Sequence, residues 1–228
     1  MATKPVNKLW HLLPGPQARG FTLLEMAIVL VIMGLILGGL LVPLGAKMEN
    51  ERRISTDSSL TVIKNALFGF AVINKRLPCP DTNGDGQEEA SCANTEGEIP
   101  WVTLGISRYD AWGRPYRYRV DNAYSTTIAD PPDTSSGLRV ENRGGTALTA
   151  GNPNAAVAII FSCGANGKPD AENDANGTTN GNANCSNPGN PNTIYVQDIS
   201  VKDQFDDQLI WISRNTLINQ LISSGKWP

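Results

Sequence analysis

Histidine is almost absent from this chain of 228 residues, and the single one, His11, lies close to the N-terminus. The sequence also lacks a Gly-x-Ser-x-Gly nucleophile motif, a P-loop and a dinucleotide-binding fingerprint. The acidic pairs Glu88–Glu89 and Asp206–Asp207 are of a kind usually solvated on loops. We therefore expect a protein that is not an enzyme.

Acidic residues are absent from the first 20 positions, where Lys4, Lys8 and Arg19 carry the only charges. The rest of the chain holds 22 acidic and 16 basic residues, so its formal charge is −6, against −3 for the whole chain. Phosphate binding requires a basic surface, and this acidic body argues against a nucleic-acid partner.

Charge is also absent from Met26 to Leu44. As a helix with a rise of about 1.5 Å per residue, this run matches a hydrocarbon core of about 30 Å. A secretory signal is the alternative, but its apolar region is about 7–15 residues long and a small-residue cleavage site follows it. Leu44-Gly45-Ala46 is a poor cleavage site, and we therefore expect a transmembrane helix.

An acidic residue, Glu25, stands at the edge of this run, although a carboxylate inside a membrane costs about 2.5–3.5 kcal/mol. The string Arg19-Gly20-Phe21-Thr22-Leu23-Leu24-Glu25 follows a short basic leader. Together with the apolar run it resembles the signature of type IV prepilins and of type II secretion pseudopilins.

That resemblance implies a processing and assembly site. Prepilin peptidase would cut after Gly20 and methylate the new terminus at Phe21. Glu25 would pair with the N-terminal amine of a neighbouring subunit, so that two buried opposite charges satisfy each other. The implied organisation is a cytoplasmic leader (1–20), a transmembrane and assembly helix (21–45), its amphipathic continuation (46–77) and a periplasmic domain (78–228).

The body pattern predicts an α+β, pilin-like fold. Leu60, Ile63, Leu67 and Phe70 repeat at helical spacing, and Pro78 ends the pattern, so one helix is expected from about Thr22 to Lys75. Short apolar or alternating runs predict strands within 116–120, 155–161, 193–196 and 209–212, with a helix as the alternative for the last run. A terminal helix is expected from Ser213 to Ser224, with Ser213 or Asn215 as its N-cap and Gly225 as its C-cap. We expect a small antiparallel sheet packed on the long helix, with a C-terminal helix.

Four cysteines allow three disulfide pairings outside the cytoplasm. The sequential pairing, Cys79–Cys92 with Cys163–Cys185, is favoured because each bond would close a polar loop. A zinc site is the alternative, but no Cys-x-x-Cys pair supports it.

Calcium is the one cofactor that the sequence suggests, at two loops. The first places oxygen ligands at alternate positions, with glycine at the sixth: Asp81, Asn83, Asp85 and then Glu89. Cys92 stands where an EF-hand has its glutamate, so the loop is not an EF-hand. A solvated acidic turn is the alternative.

The second candidate follows a stretch that resembles the pseudopilins. Residues 162–167, Ser-Cys-Gly-Ala-Asn-Gly, resemble their S-x-G-A-D-G stretch, whose nearby loop holds calcium; Asn166 replaces the aspartate. Asp170, Glu172 and Asp174 would then supply the charge. A flexible polar loop is the alternative. Residues 110–116 likewise resemble the D-P-W-G-x-P-Y stretch of the major pseudopilin, with Ala111 replacing proline.

The resemblance implies a structural subunit of a type IV pilus or of a type II secretion pseudopilus. Its partners would be the prepilin peptidase, the bacterial inner membrane and other subunits. The size of the body and the two predicted disulfides favour a minor subunit. The alternative is a single-pass periplasmic calcium-binding or adhesive module that does not polymerise.

Overall fold

The computed structural model describes residues 20–93, 95–128, 130, 132–170, 173, 193–201 and 204–225, with the side chains of 39–43 left out. The chain divides into two compact units, residues 1–47 and 48–228. The elements in chain order are α1 (Leu23–Asn74), β1 (Glu96–Glu98), α2 (Trp101–Leu104), β2 (Arg117–Val120), a 3-10 turn (Asn122–Tyr124), β3 (Arg139–Glu141), β4 (Ala156–Ser162), β5 (Ile194–Val196), β6 (Gln208–Ser213) and α3 (Arg214–Ser223).

The main sheet has four strands in the order β1-β2-β4-β6, and every neighbouring pair is antiparallel. The centre is β4, whose seven residues are all buried, as an apolar central strand should be. A second sheet consists of β3 and β5, which pair in parallel. The expected small antiparallel sheet is confirmed, while the parallel pair was not expected.

One face of the main sheet packs against α1 within the second unit. The helix contributes Leu60, Ile63, Leu67 and Ala71, all at most 2% exposed. Alternate residues of the sheet and of the segment leading into β2 belong to the same cluster: Tyr116, Tyr118, Val120, Ala158, Ile160 and Ile212. The helix α3 adds Leu217 and Leu221. The periodicity therefore predicted the buried stripe, although Phe70 lies outside it and Ala71 within it.

The other face of the main sheet carries a separate apolar cluster. It contains Ile159 and Phe161 of β4, and Tyr195 of β5 packs its ring against that of Phe161 at 5.7 Å. Arg117 and Arg119 of β2 lie on this same face, since Tyr118 and Val120 point to the α1 side.

The ends of α1 and α3 lie within one residue of the positions that the sequence predicts. The helix α1 ends at Asn74, and Lys75 adopts a positive φ of 53° before the chain turns. The Ser213 side chain caps α3 by accepting a hydrogen bond from the Thr216 backbone N–H, so Ser213 is the N-cap of the two residues predicted, and the C-cap is Ser224 rather than Gly225. The short elements β1, α2 and β3 were not predicted.

The first unit is helical and presents apolar side chains outward. From Phe21 to Leu37 the large apolar side chains are between 43% and 93% exposed. Within the described part of the chain, no helix has the length and hydropathy needed to cross a membrane. The expected transmembrane helix is therefore not confirmed.

Candidate functional site

The start of α1 is built by a reciprocal cap. The Thr22 hydroxyl accepts a hydrogen bond from the Glu25 backbone N–H at 3.2 Å. In return, the Glu25 carboxylate accepts from the Thr22 backbone N–H at 3.1 Å and from its hydroxyl at 3.2 Å. This is a capping box, which satisfies otherwise unpaired donors and places a negative charge at the positive end of the helix.

The cap holds Glu25 close to the predicted cut. Phe21 is 81% exposed and Leu23 is 93% exposed, and both Gly20 and Glu25 are exposed. The site thus offers an accessible bond between Gly20 and Phe21, one carboxylate, and an unburied apolar helix face. An exposed apolar patch of this kind marks a surface that interacts with a protein or with a membrane.

The loop from Asp81 to Glu89 is closed by its own backbone amides. Asp81 is 1% exposed, and its two carboxylate oxygens accept from the N–H groups of Asn83, Gly84 and Gly86 at 2.8–3.1 Å. Asn83 and Asp85 each accept an N–H two residues further on. Glu89 accepts from both the backbone and the hydroxyl of Thr82.

These bonds leave the carboxylates of the loop dispersed. Among the described residues, Asp81, Asp85 and Glu89 do not form a group of ligand atoms within 4.8 Å. Gly86 has a φ of +83°, and a Cβ there would lie 2.4 Å from the Trp101 ring, so its glycine is needed for packing. The Cys79–Cys92 disulfide closes the segment, which confirms that pairing.

Three other acids do converge. Asp170, Asp206 and Asp207 each offer a carboxylate oxygen, and the three oxygens lie within 4.8 Å of one another. We call this group the acidic trio. Asp170 Oδ2 accepts from the backbone N–H groups of Asp206 and Asp207, and Asp207 Oδ2 accepts from the Asp170 N–H and from Asn173 Nδ2. The trio therefore ties the loop after β4 to the start of β6.

Two carboxylate oxygens of the acidic trio are not used by the hydrogen bonds just described. Asp206 Oδ1 and Asp207 Oδ1 are shielded from solvent and have no hydrogen-bond partner among the described residues. Asp207 is 2% exposed, and burial, followed by the charge of Asp170, raises its pKa well above the ordinary value of 3.8. Burial also raises the pKa of Asp206. Carboxylates so placed either share protons or hold a cation.

The loop beside the trio is held by the turn at residues 110–114. Asp110 accepts from the Ser162 hydroxyl at 2.5 Å, and that hydroxyl accepts from the Gly164 backbone N–H at 3.1 Å. Gly164 has a φ of +56°, and a Cβ there would lie 2.5 Å from the Asp206 carbonyl oxygen. The glycine thus lets the chain pass directly beside the trio.

The second predicted calcium loop lies only partly within the described residues. Asp170 joins the trio, whereas Glu172 and Asp174 lie outside the described residues. Cys163 is fully buried, but its predicted partner Cys185 lies outside the described residues as well, so that pairing stays a prediction. The interpretation of Asp206 and Asp207 as solvated charge is wrong for Asp207, which is 2% exposed, and both residues belong to the trio. The feature of the sequence that could have indicated their burial is their position immediately before the strand β6.

The comparisons with known proteins concern the N-terminal segment. Residues 16–41 match the model of the prokaryotic N-terminal methylation motif. No curated protein and no solved structure matches the chain. Gly20, Phe21 and Glu25 fall inside the matched segment, next to the capped start of α1. The chain thus carries at residues 16–41 the signature of type IV pilin and pseudopilin prepilins.

Proposed function

We propose that this protein is a structural subunit of a type IV pilus or a type II secretion pseudopilus. The observation that carries the proposal is the methylation motif at the head of a helix whose large apolar side chains face outward from Phe21 to Leu37. Assembly buries this surface against neighbouring subunits. No enzymatic step is part of the role.

Before assembly the same surface needs an apolar environment. We propose that residues 21–45 anchor the processed chain in the bacterial inner membrane, with the body in the periplasm. The run from Met26 to Leu44 has no charge, which supports this placement. A disulfide at Cys79–Cys92 supports an oxidising compartment.

Glu25 supplies the specificity of assembly. Cleavage leaves a cationic amine at Phe21, and pairing that amine with a neighbour's Glu25 satisfies both charges in an apolar filament core. The capping bonds to Thr22 use the same carboxylate within one subunit. A purely local capping role is therefore the competing explanation of Glu25.

Two variants separate the roles of Glu25. Glu25→Gln keeps an oxygen for the capping bonds and removes the charge, whereas Thr22→Ala removes the hydroxyl of the cap and keeps the charge. We expect Glu25→Gln to be processed and membrane-bound but absent from sheared filaments, and Thr22→Ala to be incorporated. Normal incorporation of Glu25→Gln would refute the charge pairing and favour the anchored, non-polymerising alternative.

A second function is favoured by the two leftover oxygens of the acidic trio. We propose that Asp170, Asp206 and Asp207 bind Ca²⁺, which prefers carboxylate and carbonyl oxygens. Three converging acids, one of them 2% exposed, are costly unless a cation or protons neutralise them. In the loop 81–89, by contrast, the Asp81 carboxylate oxygens already accept hydrogen bonds from backbone N–H groups of the loop. The trio is therefore the better candidate for the calcium site.

Thermal melting with calcium and with chelator tests this site. Wild type should melt higher in calcium, because a ligand that binds the folded state stabilises it. Asp207→Asn should abolish this rise and melt at least as high as wild type in chelator, since the buried charge is gone. Asp85→Asn, in the other loop, is the matched control and should keep the calcium response. A wild type that ignores calcium, or loss of the response in Asp85→Asn alone, would contradict the assignment.

A further inference from the structure

The side chain of Asn173 contacts both the acidic trio and the strand β5, and it is only 4% exposed. Its Nδ2 donates to Asp207 Oδ2 at 2.9 Å and to the Val196 carbonyl oxygen at 3.0 Å. Its Oδ1 accepts a hydrogen bond from the Val196 backbone N–H at 2.6 Å. A single buried amide therefore joins one carboxylate of the trio to both backbone groups of a strand residue.

The bonds from Asn173 satisfy the edge of β5 that points away from β3. The Gln197 backbone N–H donates to the Glu141 carbonyl oxygen on the β3 side at 2.9 Å. Since backbone groups of successive strand residues point to opposite edges, the N–H and C=O of Val196 point to the other edge, where Asn173 bonds both. A sheet of two three-residue strands is marginal by itself, so contacts at this second edge contribute to holding β5.

The same amide fixes the orientation of the Asp207 carboxylate. Asp207 Oδ2 accepts from Asn173 Nδ2 and from the Asp170 backbone N–H, whereas Oδ1 has no hydrogen-bond partner among the described residues. Rotating the carboxylate would break both bonds to Oδ2, so Oδ1 is the oxygen that stays available to a cation. A buried donor that orients a metal-binding carboxylate in this way contributes to the affinity for the metal.

We propose that Asn173 is a positioning residue of the calcium site and makes the attachment of β5 depend on calcium, an inference that rests on the calcium binding proposed above. Without a cation, the three carboxylates within 4.8 Å repel one another, which favours movement of Asp207 away from Asp170. That movement takes Asp207 away from Asn173 and loosens the edge of β5 at Val196. Calcium removes the repulsion, keeps Asp207 in place and so secures β5, together with β3, which pairs with it.

Calorimetric titration of the full processed chain in detergent with calcium tests the positioning role. Asn173→Leu keeps the approximate shape of the side chain and removes its amide, and we expect the Kd for calcium to rise by about 10–100-fold. Gln197→Met is the matched control, because it removes a different side-chain bond beside β5, from Gln197 Oε1 to the Leu209 N–H, and should leave the Kd unchanged. An unchanged Kd in Asn173→Leu, or an equal rise in Gln197→Met, overturns the proposal.

Hydrogen exchange of wild type alone covers the case in which Asn173→Leu fails to fold. Calcium should slow exchange in a peptide spanning residues 193–201, which contains the Val196 N–H, by up to about 100-fold when free calcium is 100 times its Kd. A peptide spanning β1 is the internal reference and should slow less, because the Glu98 N–H bonds to Asp81 rather than to the trio. Equal slowing in both peptides, or no slowing at 193–201, overturns the link to β5.

The same titration separates this inference from the calcium site on which it rests. A wild type that binds no calcium refutes the site, and the inference falls with it. Calcium binding that is lost in Asp207→Asn but kept at full affinity in Asn173→Leu leaves the site standing and overturns the role of Asn173 alone.

Discussion

The carboxyl groups of Glu25 and Asp207 illustrate how environment assigns a task to one side chain. Glu25 is exposed at a helix start, where two Thr22 donors hold it within one subunit. Asp207 is buried, with one oxygen fully bonded and the other unpaired among the described residues. The proposed partners, an amine from a second subunit and a calcium ion, are both cations. The tests of both proposals, Glu25→Gln and Asp207→Asn, therefore remove the charge of the carboxylate and keep the shape of the side chain.

The buried tyrosines predict the alkaline behaviour of the body. Burial, followed by the charge of Glu88 for Tyr118 and of Glu96 for Tyr195, raises the pKa of each hydroxyl well above 10.0. The folded state holds these protons more tightly than the unfolded state. Their contribution to stability is therefore complete below pH 10 and is lost as the pH rises through the folded pKa.

We accordingly expect the absorbance of tyrosinate to rise together with the loss of circular dichroism above pH 10, in one cooperative transition. Tyr195→Phe, which also loses the hydrogen bond to Glu96, should weaken this dependence on pH. Titration of all five tyrosines with the fold intact would contradict the burial of these hydroxyls.

Residue roles were predictable from sequence only where the neighbours in the chain determine them. The disulfide Cys79–Cys92 joins residues 13 positions apart and was predicted. The capping pair Thr22 and Glu25 is equally local but was not predicted, although the spacing of a capping box was readable. Asp207 meets Asp170 across 37 positions, and its burial depends on β4, β6 and the loop between them. An adjacent acidic pair has the composition of a solvated loop, and its convergence with a third acid is a tertiary property.

At the scale of elements, α1 carries two different surfaces. Before residue 48 its apolar side chains point outward, and after it one stripe lies buried against the main sheet. The three- and four-residue spacing predicted the buried stripe. Sequence could not predict β1, which is three residues long and contains Gly97, where a Cβ would lie 2.4 Å from the Asp81 carbonyl oxygen. A strand this short is determined by its pairing with β2 rather than by its own sequence.

The buried stripe makes a specific prediction for stability. Leu67 is fully buried between α1 and the sheet, while Ile73, on the same helix, is 79% exposed. Leu67→Ala should lower the free energy of unfolding of the body by about 2–5 kcal/mol, because it leaves a cavity. Ile73→Ala should change it by less than about 0.5 kcal/mol. Denaturant unfolding of both variants measures the difference, and equal losses would contradict this packing.

At the scale of the whole molecule, the chain divides into an N-terminal unit that carries the methylation motif and a folded body. The motif at residues 16–41 was predictable because it is one continuous string of the sequence. The four-stranded order and the parallel β3–β5 pair were not, since pairing between distant strands leaves little trace in either strand alone.

Processing makes a prediction for the whole chain that is separate from assembly. A glutamate at the position before the cut places a bulky negative charge where the motif has glycine. We expect Gly20→Glu to remain about 20 residues longer than the processed form on a gel and to be excluded from filaments. Gly15→Glu adds the same charge within the leader and should still be cut. Normal shortening of Gly20→Glu would contradict the assigned site.

The most direct measurement is mass spectrometry of the N-terminus of the protein purified from its native membrane. The account predicts a chain that begins at Phe21, carries one additional methyl group on its amine and lacks residues 1–20. A chain that keeps residues 1–20 in cells with an active prepilin peptidase would contradict it, and would leave a plain anchored module.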